Sequence, residues 1–164
     1  MNATRISATL LITAIAATAS GCGGSSTHLD SGFAAKVNAA CQHAISDKAS
    51  HPFPLPNFDP RHPKPSELPA VGSYFAKYGD AQYMIDTLNS AGEPSSHAAD
   101  WDRLRSLVDQ ASRNSLTQQQ VAKSKNVAGF EHTLDVSQTL AKQIDSLGKH
   151  LGFGSSSACG RYFG

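Results

Sequence analysis

Apolar residues recur at helical spacing in four stretches of the chain, separated by polar or proline-rich breaks. Phe33, Val37, Ala40, Cys41, Ala44 and Ile45 fall three or four apart, the stripe of an amphipathic helix over residues 31–48. Six of the eight prolines then lie between Pro52 and Pro65, where fixed φ and missing N–H donors exclude a helix or a central strand. Phe53, Leu55 and Phe58 within that run read either as anchors of a polyproline-type recognition strand or as contacts of a stiff crossover with its own bundle, the simpler of the two. Ser66 can cap a second helix over 67–90, with Pro69 tolerated in its first turn. Val71, Tyr74, Phe75, Tyr78, Ala81, Ile85 and Leu88 mark its inner face. Ala91-Gly92-Glu93-Pro94 breaks it, and Ser95 or Ser96 starts a third helix with Trp101, Leu104, Leu107, Val108 and Ala111 inward. A turn or weak helix from Lys123 to Gly129 leads into Phe130, Leu134, Ser137, Leu140, Ile144, Leu147 and Leu151, at near-heptad spacing, which Gly152 and Gly154 end. No alternating strand pattern competes, so the pattern predicts an all-α fold, an up-down helical bundle of about four helices.

The first residues follow a different rule. One charge, Arg5, precedes an uncharged run from Ile6 to Ala19 that is shorter than the ~20 residues a helix needs to span a bilayer, and small residues follow it. This predicts an export signal peptide over residues 1–21. Ala19-Ser20-Gly21-Cys22 resembles the bacterial lipobox, in which two small residues precede a cysteine that is acylated and becomes the mature N-terminus; Ala19 stands where leucine is usual. The expected organisation is then a signal peptide, a flexible lipid-anchored tether over 22–29 and a helical domain over 30–164. As a coil the polar stretch after Cys22 reaches roughly 12 Å, which would keep the domain close to the membrane. The competing reading is a secreted protein cleaved nearby, with Cys22 a free thiol.

Cysteine arithmetic bears on that choice. Three cysteines in an exported chain leave one unpaired. Acylation of Cys22 removes the odd one and leaves Cys41 and Cys159 to form a disulfide, in a compartment where such bonds persist. Neither has the spaced Cys or His partners of a zinc site.

The chain combines an alanine-rich first helix bearing Cys41, a proline-rich crossover, a helix introduced by Asp100-Trp101 and a last helix closing as Leu151-Gly152-Phe153 before Cys159. The chain resembles, over nearly its whole length, the small, mostly uncharacterised lipoproteins of actinobacterial envelopes. The resemblance implies a disulfide-closed helical bundle on the outer face of the cytoplasmic membrane, and it supplies no catalytic residues.

Composition adds mainly exclusions. Fourteen basic and thirteen acidic side chains, without a block of either sign, provide no footprint for nucleic acid. Among the seven histidines the best sequence constellation for a metal is His43, Asp47 and His51, but Pro52 drives His51 out of the helix. His132, Asp135 and the adjacent Glu131 read as a solvated surface, so no metal centre and no cofactor is expected. HExxH, Gly-x-Ser-x-Gly, P-loop and dinucleotide motifs are absent, which argues against an enzyme. Tyr74, Phe75, Tyr78 and Trp101 could line an apolar slot between helices, or simply fill the core. The expectation is a non-enzymatic, membrane-anchored domain that binds an envelope protein partner or serves a structural accessory role. A carrier of an apolar ligand such as a lipid is the alternative, and an envelope hydrolase ranks third.

Overall fold

A computed structural model of the chain describes residues 28–78 and 82–163. Among the described residues there are six helices and no strand: α1 (Ser31–Ala49), α2 (Leu68–Tyr78), α3 (Gln82–Ala91), α4 (Ala98–Lys123), α5 (Val127–His150) and α6 (Ala158–Phe163). The fold is an all-α bundle closed by a Cys41–Cys159 disulfide, as the pattern predicts. The described residues of the expected 67–90 helix fall in α2, which runs to Tyr78, and α3, which runs from Gln82, with residues 79–81 outside the description. The segment beyond Gly154, expected as a tail, contains α6.

Local chemistry sets the helix ends. Asp30 caps α1, its Oδ1 accepting the Phe33 N–H at 2.8 Å. That bond, with a further one from Ser95 Oγ to Oδ2 at 3.1 Å, holds the Asp30 carboxyl below the usual carboxylate range. Ser95 is thus engaged with α1, and the cap of α4 falls to His97, in the left-handed region at φ 59 and without a side-chain capping bond. At the end of α3, Lys36 of α1 donates to the carbonyls of Ser90 (3.3 Å) and Ala91 (3.0 Å), a cation against the negative helix terminus.

The α4–α5 pair is the spine. Only residues 124–126 connect them, and Asp100 meets His150, Asn114 meets Ser137, and Ala122 packs in one cluster with Phe130, so the pair is antiparallel along its length. The turn is of the Schellman type: Lys125 N–H donates to Ala122 O at 3.0 Å and Asn126 N–H to Val121 O at 2.9 Å, with Lys125 at φ 58. Asn126 then caps α5 through the Gly129 N–H at 3.0 Å. The far end of α5 repeats the same turn, with Gly152 N–H to Lys149 O (3.1 Å), Phe153 N–H to Gly148 O (2.9 Å) and Gly152 at φ 98.

Two apolar clusters flank this spine. The larger takes Val37 and Cys41 from α1, Met84 and Leu88 from α3, Trp101, Leu104, Leu107 and Val108 from α4, Leu140, Ile144 and Leu147 from α5, and Leu151, Phe153 and Cys159 beyond it. The smaller joins Leu68 and Val71 of α2 to Ala122 and Phe130, and Phe53, Leu55 and Phe58 of the proline-rich segment pack on it with Phe75. Between the two, Ser112, Gln118 and Thr133 are buried, and Asn114 Nδ2 donates to Thr133 O and Ser137 Oγ, both at 2.8 Å. A polar layer therefore interrupts the apolar seam where Ser137 breaks the near-heptad pattern.

Helix α6 is fixed to α1 by more than the disulfide. The bridge has an S–S distance of 1.98 Å and joins residues 118 apart in sequence. Ser157 Oγ caps the helix by accepting the Gly160 N–H at 2.9 Å, and Cys159 N–H donates to Asn38 Oδ1 at 3.0 Å. Arg161 donates to Gln42 Oε1 at 3.1 Å. Gly160 lies so close to the chain that any Cβ there would overlap the Gly154 carbonyl oxygen.

Candidate functional site

The beginning of α4 and the end of α5 bring together a cluster that no stretch of sequence contains. His97, at the α4 cap, and Asp100, in its first turn, share one face by their spacing of three, and antiparallel packing places His150, the last residue of α5, against them. Asp100 Oδ2 lies 3.8 Å from His97 Nδ1 and 3.4 Å from His150 Nε2. One ligand-type atom from each of the three residues lies within 4.8 Å of the others, and the imidazoles stand edge-to-face with centroids 6.2 Å apart.

The cluster is half-buried and mounted on packed elements. Side-chain exposure is 21% for His97, 37% for Asp100 and 52% for His150, so the group opens to solvent on the α5 side. Trp101, next to Asp100, is fully buried; its N–H donates to His97 O at 2.9 Å and its Nε1 to Gly92 O at 3.2 Å. Its ring meets Phe33 edge-on with centroids 4.9 Å apart. In sequence His150 lies between the buried Leu147 and Leu151, which fix the backbone at the end of α5. A third histidine, His28, covers the adjoining turn, where a Cβ on Gly152 would come within 3.1 Å of its side chain. Asp100 suits the positive N-terminal end of α4. Chemically, the group offers two imidazole nitrogens and a carboxylate oxygen to a shared partner.

The residues singled out from sequence fall elsewhere. Trp101 belongs to the larger cluster, whereas Tyr74 and Phe75 stack around Phe53, at 4.9 Å (Tyr74) and 6.4 Å (Phe75), beside the smaller one. The structure does not bring Trp101 together with the Tyr74 and Phe75 pair, and the Tyr78 side chain lies outside the described residues. Tyr74 has a structural bond, donating its hydroxyl to His51 O at 2.6 Å. His43 is exposed, and His51 lies beyond the end of α1, its Nδ1 3.0 Å from Asp47 O. Cys41 and Cys159 meet in the bridge, and Cys22 lies outside the described residues. Among the described residues no helix is long and apolar enough to cross a membrane.

Sequence reasoning passed over His97, Asp100 and His150. The one local signal was the His-x-x-Asp spacing at a helix start; His150, fifty residues on, joins only through the α4–α5 register. The chain matches no protein-family model, no curated protein and no solved structure.

Proposed function

We propose that this chain is a lipid-anchored protein of a bacterial envelope, resembling actinobacterial lipoproteins, that works at the extracytoplasmic face of the cell membrane as a non-enzymatic partner-binding or structural accessory module. The observation that carries the reading is the Cys41–Cys159 bridge. It takes up two of three cysteines and leaves as the odd one Cys22, which follows a short apolar run and two small residues. A disulfide closing so long a loop also belongs in an oxidising compartment. The carrier alternative stands second, because its slot residues divide between two separate clusters.

Two measurements test the proposal in the native host. The mature protein should begin at Cys22 and carry the added mass of two or three acyl chains. Cys22→Ala should move the protein from the membrane fraction to the soluble one. Unchanged membrane retention of Cys22→Ala, or a mature terminus without acyl mass, overturns the anchor.

A further inference from the structure

From the donor set and its mounting we infer that His97, Asp100 and His150 form a binding site for a divalent transition-metal ion. Zinc held by imidazole nitrogen and carboxylate oxygen at about 2.0–2.1 Å in tetrahedral geometry sets neighbouring donor atoms about 3.3 Å apart. The Asp100 Oδ2 to His150 Nε2 distance of 3.4 Å already matches that edge, and the 3.8 Å to His97 Nδ1 closes with a small ring rotation. Two neutral imidazoles and one carboxylate balance half of the dication charge. Imidazole donors select zinc, copper, nickel or iron over magnesium and calcium, which prefer oxygen ligands throughout.

The mounting supports the same conclusion. His97 at the cap of α4 and Asp100 in its first turn are pinned through the buried Trp101, and His150 ends α5 next in sequence to the buried Leu151. The approach of the two helix ends is therefore set by core packing, so the donors gather without ordering a loop. The nearest cation in sequence, Lys149, is turned back along α5 and bonds Asp145 Oδ2 at 2.6 Å. His97 holds the left-handed φ of 59, which non-glycine residues adopt seldom and histidine more readily than most. Three protein donors leave a coordination position open to water or to a donor atom of a partner.

Calorimetric titration of the mature protein with zinc chloride alone tests this, with melting curves in parallel. One zinc ion per chain is expected, with a higher melting temperature on binding. His150→Gln, Asp100→Asn and His97→Asn, the last keeping a residue that tolerates positive φ, should each weaken zinc affinity by about 100-fold or more, since changes in the outer shell of a metal site already cost about 10–100-fold. His43→Gln, on the exposed face of α1, should bind as the unaltered chain does. The His150 side chain is half-exposed, so the zinc-free His150→Gln protein should melt unchanged, separating lost binding from lost folding. Absence of saturable binding, or zinc affinity in the three site variants equal to that of the unaltered chain, overturns the inference. Neither result bears on the lipid anchor, which is read separately from fractionation.

Discussion

The two apolar clusters at opposite ends of the α4–α5 hairpin are held by opposite means. The larger gathers residues from Leu29 to Cys159 and is closed by a covalent bond between residues 118 apart. The smaller contains no covalent link; its lid is the proline-rich segment, whose Phe53 meets Phe58 (5.7 Å), Tyr74 (4.9 Å) and Phe75 (6.4 Å), while Phe58 meets Phe130 (6.0 Å). Both devices act largely by restricting the unfolded chain. The disulfide removes the freedom of one long loop, and the prolines remove backbone freedom residue by residue. A segment that must cross the bundle without a helix's hydrogen bonds gains order from stiff residues; a terminal helix of six residues gains it from a staple.

Breaking the staple has the largest expected effect. Cys41→Ser should lower stability by about 4–5 kcal/mol on the chain-entropy model, or roughly 15 °C in melting temperature for a domain of this size. Hydrogen exchange should then rise first in α1 and α6 and leave the smaller cluster protected; a uniform rise would show that the two clusters unfold as one unit. Phe53→Ala removes the hub of the second cluster and should cost about 2 kcal/mol, less than for a fully buried ring because Phe53 keeps some exposure. Denaturant melts of the single and double variants would show near-additive losses if the polar layer separates the two regions, and strong coupling if it does not. The smallest effect concerns the paired turns. Lys125→Gly gives the α4 end the residue that the α5 end already has, and should stabilise by up to about 1 kcal/mol; no gain would mean the freed unfolded backbone offsets the relieved φ.

Much of the fold was legible in the pattern, because the stripes of α1, α4 and α5 each face one seam. The stripe from Val71 to Leu88 serves both interiors, the smaller cluster through Val71 and the larger through Leu88, as α5 does through Phe130 and Leu140. Periodicity records that a residue is inward and says nothing of which interior it enters, which is also why Tyr74 and Trp101 looked like neighbours. The α4 cap was misplaced because Ser95 is used by Asp30, sixty-five residues away, and α6 was hidden in a glycine- and serine-rich stretch too short for a period. The histidine cluster was beyond local reading, since its third member depends on the register of two helices.

The long disulfide loop also decides what a protease can achieve. A single cut anywhere from residue 42 to 158 leaves both fragments joined through Cys41–Cys159, so the C-terminal piece stays tied to the N-terminal one. Whatever holds the N-terminal segment in place therefore holds the nicked protein whole, and a single cut in that span frees the C-terminal fragment only after reduction.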